Sequence, residues 1–517
     1  MKAKTIITIC AGVITLFTAC DDSLNIPQHG VLNYETYYQT DEQAETASTA
    51  LYIQLRGLEY NYMVGKNMLG DDFWAGGAQR NDNAELEQLN EFTFGTEQSM
   101  LQGMFTSYYQ IIYKANVALG HVVGDSKVMQ RVRAEARVFR AWSYFELISM
   151  WGNPPLVDHE LTPSEYSLPN GTTEELWALV ETDLTEAINS GSLPEKANAD
   201  DQSVWRVTKQ FAQAVLGKAY LWQKKYSEAA TVLDAVISSG KYRLYDGNYE
   251  DIQMYDHKMN CESILETIKV DDANNIWTNM NMATLMEHWR TDHMNIPAEY
   301  AANGYGFLNP QKSLYDDFVS EEGESGYRLG QTMKTLQQMG DLGISIKVGQ
   351  TLYGHEGYFM WKWRKLAAQI PAAGYGFCDN NNTRWMRYAE VLLLAAEAHL
   401  EAGNTAKAAE YLNAVRVRAQ LPPKTSITLN DIIIEKRLEL CGEAVRFQDM
   451  TRWGIAATRM ATQGQRCPSI DSNGNITYTV YNQSADGYGF KTGKHELLPY
   501  PGTEIRLNPN ITQNPGW

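Results

Sequence analysis

One spacing of small and large apolar residues occurs twice in this chain, far apart, and it restricts the fold more than any other feature. Leu216-Gly217, Tyr220, Ala229, Leu233 and Val236 return at identical offsets as Ala395-Ala396, His399, Ala408, Leu412 and Val415. A small residue at one site per helix lets two antiparallel helices approach closely, while the larger residues fill the gap; this is the register of a tetratricopeptide repeat. The turns are polar, Lys224-Lys225-Tyr226-Ser227 and Gly403-Asn404-Thr405. Ala141 and Tyr144 mark a third copy with an insertion, Gly152 to Gly171, before its second helix, and Tyr108 to Asn116 begins a degenerate fourth. Apolar periodicity predicts further helices from Thr40-Asp41-Glu42 through Leu55, from Met104 to Val117, from Val132 to Trp151, and from the Thr172-Thr173-Glu174-Glu175 cap to about Ile188. The expected fold is mostly α, a tetratricopeptide-like helical hairpin scaffold.

Between Gly240 and Thr383 the helical period is largely lost, and Gly, Asn, Asp and aromatic residues take over. A second irregular stretch runs from Gln463 to Pro501 and contains strand-like Ile476-Thr477-Tyr478-Thr479-Val480. Long loops on a compact protein tend to be binding loops, so the scaffold is expected to carry a large loop-rich, irregular ligand-binding subdomain. The corresponding division is a signal segment (1–19), a tether (20–30), an N-terminal helical part (31–240), a loop-rich part (241–383), a hairpin with its following helix (384–454), and C-terminal loops and tail (455–517).

The formal net charge is -18 and the isoelectric point is near 5.0, which argues against a nucleic-acid partner and leaves neutral ligands such as sugars open. Thirty Tyr stand against 14 Phe, and Tyr, with a polar tip on a flat ring, serves wet binding surfaces as well as cores. At the N-terminus, Lys2 and Lys4 precede an apolar run, Ile6 to Ala19, that is too short to span a bilayer. The run ends Leu16-Phe17-Thr18-Ala19-Cys20, which resembles a bacterial lipobox and implies lipidation of Cys20, with attachment to the membrane by that anchor alone. An ordinary cleaved signal and an uncleaved anchor are the alternatives. Cys261, Cys378, Cys441 and Cys467 form no CxxC pair and no zinc-like cluster; disulfides and free buried thiols both stay open.

Four segments in order resemble the SusD/RagB family. Trp151-Gly152-Asn153-Pro154-Pro155-Leu156-Val157 matches its turn after a long helix, and Arg387 to Ala398 (RYAEVLLLAAEA) matches its most recognisable helix. Glu435-Lys436-Arg437-Leu438-Glu439-Leu440 leads into Glu443 to Met450 and Arg452-Trp453-Gly454. The tail runs Leu498-Pro499-Tyr500-Pro501, Glu504-Ile505, Asn508-Pro509-Asn510 and Gln513 to Trp517. Ala444 departs from a usual Gly, Tyr500 from a smaller apolar residue and Trp517 from a Tyr. The charges of Arg446, Asp449 and Arg452 are expected to form a buried ion-pair network locking the last helix to the repeats. Asp21-Asp22-Ser23 after Cys20 resembles the acidic export signal of Bacteroidetes surface lipoproteins. The resemblance implies a non-enzymatic lipoprotein on the extracellular face of the outer membrane, holding glycan for import through a SusC-like TonB-dependent transporter. A RagB-like peptide-binding lid and a purely structural adaptor of the transporter are the rival readings.

Sugar recognition needs flat rings for the C–H faces of pyranoses and planar polar groups for adjacent hydroxyls. Two places supply both. One is the Gly-flanked loop 70–77 with Asp72 and Trp74, followed by Arg80; the other is the stretch from Trp277 to Phe307 with Asn279, Trp289 and Tyr305. The competing reading is that these rings pack beneath the loops, as most Trp do. No cofactor is expected; the acidic loop from Asp379 to Asn382 is a candidate place for a calcium ion. His257, His288 and His293 lack zinc spacing, and adjacent acid pairs such as Asp71-Asp72 point to different faces, so no catalytic residue is assigned.

Overall fold

The Thr40 hydroxyl accepts from Gln43 N while the Gln43 side chain accepts from Thr40 N, and this capping box opens the first helix. The computed structural model describes residues 37–517 apart from 273, 275–278 and 373. The signal segment, Cys20, Asp21-Asp22 and Trp277 lie outside the described residues. The principal helices are α1 (Asp41–Tyr60), α2 (Ser99–His121), α3 (Lys127–Trp151), α4 (Thr173–Asn189), α5 (Lys209–Trp222), α6 (Tyr226–Ser238), α7 (Lys312–Glu322), α8 (Tyr388–Glu401), α9 (Thr405–Arg418), α10 (Leu429–Leu440), α11 (Arg446–Arg452) and α12 (Ala456–Met460). The strands used below are β1 (Phe73–Ala75), β2 (Ser263–Thr267), β3 (Leu308–Pro310), β4 (Thr351–Tyr353), β5 (Thr383–Arg387), β6 (Arg466–Asp471) and β7 (Ile476–Val480).

Helices α2 through α6 pack each on the next, α6 packs on α8, and α8 packs on both α9 and α10. The repeat spacing is the cause. A Cβ on Gly217 would lie 2.6 Å from the Leu233 side chain, an overlap of the kind that costs ~1–3 kcal/mol in a filled core. Ala395, Ala396, Ala408, Leu412 and Val415 are fully buried in the second hairpin. The two hairpins are joined by His399, which bonds Asp234 at 3.0 Å. The turn before α6 is one residue tighter than the polar run suggests: Lys224 takes a left-handed φ of 59° and the helix restarts at Tyr226. The fold is mostly helical, with short strands only.

The loop-rich stretch joins the scaffold through a shared core. Ile264, Leu265, Met286, Phe307 and Leu308 belong to the same buried cluster as the repeat helices. A second, smaller cluster gathers Trp289, Ile344, Ile346, Leu352, Phe359 and Trp361. Cys261, Cys441 and Cys467 are buried free thiols, and Cys378 is buried. No described helix is long and apolar enough to cross a membrane.

The C-terminal departures from the family pattern have physical accounts. Ala444 sits at φ 60°, a left-handed conformation that Gly adopts without strain. Tyr500 is fully buried and donates its hydroxyl to Trp151 O at 2.9 Å, and the Trp517 indole N–H donates to Leu497 O at 3.0 Å. The expected ion network is present with one different partner. Arg452 bonds Glu397 and Asp449, tying α11 to α8, but Arg446 reaches away to Asp71 at 2.8 Å.

Candidate functional site

The early loop begins in charge. Asp71 is 3% exposed and receives Arg446 Nε at 2.8 Å, Arg459 Nε at 2.7 Å and Arg437 Nη2 at 3.4 Å. Burial pushes its carboxyl up, but the three guanidiniums outweigh burial and hold it well below the usual carboxylate range. Asp72, expected to touch ligand, is 2% exposed and accepts from Arg437 Nε at 2.8 Å; it fastens the loop to α10 and presents nothing outward.

Pinned there, the chain runs into β1, which pairs antiparallel with β3 so that Trp74 lies opposite Asn309. Phe73 and Ala75 are buried and Trp74 between them is half-buried, the alternation of a strand with one face in the core. The ribbon continues one step through Gly76, where a Cβ would come within 2.0 Å of Gly306 O, so only glycine permits the pairing.

Trp74 borders a cleft of about 770 Å³ lined also by Gln311, Asp316, Asp317, Glu356, Gln465, Arg466 and Tyr478. Glu356 organises it. Its carboxylate accepts from Trp74 Nε1 at 2.8 Å, from the Tyr478 hydroxyl at 2.6 Å and from Lys312 N at 2.6 Å. One carboxylate thus holds two rings from opposite ends of the chain. The Arg466 guanidinium lies 4.3 Å from the centre of the Tyr478 ring, a cation–π contact that fixes its other side. Strand β7, which carries Tyr478, is exposed along its length and forms the free edge of a three-stranded sheet ordered β7-β6-β4.

Tyr305 is brought to a different cleft. It is 43% exposed and lines a space of about 650 Å³ with Asp82, Arg290, Asn303, Phe307 and Phe377. Arg80 does not point into either space: it pairs with Glu91 and Glu87 and lies 4.4 Å over the Tyr481 ring. Trp289 and Asn279 correct the expectation. Trp289 is 4% exposed, donates to Met360 O at 3.0 Å and stacks on Trp361, because it supplies the centre of the smaller core. Asn279 is 1% exposed; its side-chain N–H donates to Asn380 Oδ1, and its backbone oxygen accepts from Asp379 N. The Asp379 carboxylate, considered for calcium, is fully buried, accepts from Asn381 N at 2.7 Å and has Lys365 Nζ 3.6 Å away. Among the described residues no group of three or more His, Cys, Asp or Glu is placed to hold a metal.

Glu356, Tyr478, Gln311 and Arg290 were not singled out from sequence. The alternation of Ile476-Thr477-Tyr478-Thr479-Val480 held a signal for Tyr478; Glu356, in a Gly-flanked turn, had none that separates it from surface charge.

Comparison with known proteins agrees with this architecture. Residues 347–517 match the model of the SusD family, and residues 41–221 match a family described as starch-binding and associating with the outer membrane. A SusD-like protein of Bacteroides ovatus is 24% identical over all of this chain and 98% of its own length. Among solved structures, surface glycan-binding protein A from Bacteroides thetaiotaomicron in complex with laminarihexaose superposes with a TM-score of 0.72 at 23% identity, covering 92% of this chain and 99% of the other. A laminarin-binding SusD-like protein superposes with a TM-score of 0.78 at 30% identity, over 93% of this chain and 100% of its own. With that identity across a whole relative, and with matched segments at both ends of the chain, this protein belongs to the SusD/RagB family.

Proposed function

We propose that this chain captures glycan at the outer membrane, that its sugar site is the Trp74 cleft, and that it acts by binding rather than catalysis. The carrying observation is the Glu356 clamp, which fixes the Trp74 and Tyr478 rings at the edge of an open polar cleft. A ring fixed in this way loses little conformational freedom when a pyranose stacks on it. Gln311, Gln465 and Arg466 supply planar groups for hydroxyls. A relative named for laminarin binding, 30% identical, supports the ligand class. The finer parts of the reading, a lipid anchor at Cys20, exposure on the extracellular face and delivery to a SusC-like TonB-dependent transporter, rest on the lipobox and on family membership.

Trp74→Ala is expected to weaken binding about 30-fold, the size of a typical hot-spot truncation. Affinity electrophoresis on laminarin, starch, xylan and mannan, followed by calorimetry on the polymer retained, measures it. Equal retention of every positive polymer by wild type and variant removes the site.

The exposed β7 edge favours a second reading. Its outward N–H and C=O groups beside the cleft suit strand addition by an extended peptide. Peptides that co-purify with the protein and are displaced by a β7 variant, with no polymer retained in the panel, would favour it.

A further inference from the structure

The two stretches that the sequence marks for sugar recognition bring Trp74 and Tyr305 to two clefts that share one ribbon. Strand alternation puts Trp74, its opposite residue Asn309, and Phe307 on a single face of the β1–β3 ribbon. Trp74 and Gln311 line the first cleft at one end of that ribbon, and Phe307 and Tyr305 line the second at the other. Asn309 and Tyr305 are separated by four residues, at most ~14 Å of chain.

The ground between the clefts also carries a ring. Tyr481, 37% exposed, follows Val480, which lines the first cleft; Arg80 lies over the Tyr481 ring and stands two residues before Asp82, which lines the second. The second cleft has the same chemistry as the first: an exposed ring in Tyr305, a planar fork in Arg290, held at 2.8 Å from Asp292 and 3.4 Å from Asp82, and an exposed amide in Asn303. Phe377 closes one wall, stacked on the exposed Tyr375 at 5.3 Å.

We infer that the Tyr305 cleft is a second sugar-binding subsite, and that the ligand is an extended internal stretch of polysaccharide lying across both clefts and the Arg80–Tyr481 saddle. This rests on the reading that the Trp74 cleft takes sugar. Two subsites joined by one continuous ligand make the second contact intramolecular, so affinity rises with chain length beyond what either cleft supplies. A short oligosaccharide fills one cleft and gains nothing from the other.

A size ladder from disaccharide to octasaccharide, prepared by partial hydrolysis of the polymer retained in the panel, tests this by calorimetry on wild type, Trp74→Ala and Tyr305→Ala. Tyr305→Ala is expected to leave the shortest bound oligosaccharide unaffected and to weaken the longest about tenfold. Trp74→Ala weakens every length. Tyr305 is exposed, so an unchanged thermal midpoint is expected and identifies any folding defect. If Tyr305→Ala matches wild type at all lengths, or weakens short and long ligands equally, the second subsite is overturned while the first stands. If Trp74→Ala has no effect, or no polymer is retained at all, both readings fall together.

Discussion

Replacing Arg387 with Met is expected to lower the unfolding free energy by ~3–5 kcal/mol, because it takes a shared counter-charge from three buried carboxylates. Arg387 is 1% exposed at the junction of β5 and α8. Its guanidinium meets Glu443 at 2.6 and 2.7 Å, Glu262 at 2.5 Å and Glu439 at 3.2 Å. Arg418, Arg328 and Lys362 share those carboxylates but leave the fork position empty. Arg387→Lys keeps the charge without the bidentate geometry and should recover only part of the loss. Urea unfolding measures both variants. A midpoint change worth less than about 1 kcal/mol at unchanged slope would show that the neighbouring cations reorganise to cover the gap.

The same lattice sets the acid limit of the fold. Burial pushes the Glu439 carboxyl up, and Arg418, Arg387 and Arg328 overcome that and bring it down to about 2 from an ordinary 4.5. Glu443 and Asp449 are lowered by the same kind of pairing. A group with a depressed folded value stabilises the fold above its unfolded value and loses that contribution as pH falls through the folded one. Stability should therefore be retained at pH 5 and fall progressively between pH 4.5 and about 2. Thermal midpoints across that range check it, and a flat profile there would contradict the assignment.

Asp71→Ala is the second large effect, and it falls on stability and binding together. It removes the one carboxylate on which Arg446, Arg459 and Arg437 converge. Three cations left close together with less compensation should cost ~3–5 kcal/mol. Because Asp71 and Arg459 also floor the Trp74 cleft, and Trp74 follows three residues on, glycan affinity should drop as well. Trp74→Ala, in contrast, removes a half-buried ring and should weaken binding with little change in the urea midpoint. An Asp71→Ala variant of native stability would mean that the arginines find other partners; one destabilised but binding normally would show that the cleft does not depend on its floor.

The scaffold was legible because it is local. Helix periodicity, the Thr40 and Thr172 caps and the small residues at 217, 395 and 396 act within a few turns of chain, and they act through sterics that hold wherever the segment is placed. Tertiary context changed details there, such as the tight turn at Lys224. The site was less legible because its parts come from distant segments. Trp74, Glu356 and Tyr478 meet through hydrogen bonds between residues 282 and 122 positions apart, and nothing in the spacing of any one segment announces the other two.

Aromatic residues show the division most clearly. Trp74 stands in a Gly-flanked loop and Trp289 in a polar stretch, and the sequence marks both as candidate ligand rings. Strand pairing turns Trp74 outward opposite Asn309, whereas the small core of Ile344, Phe359 and Trp361 draws Trp289 inward. The amino-acid sequence by itself determined the stacked hairpins, since close helix packing demands small residues at fixed intervals. Only the tertiary structure decided which rings face solvent, how Asp72 is consumed by Arg437, and that Trp74 and Tyr305 line two separate clefts, because burial and pairing depend on what the rest of the chain brings alongside.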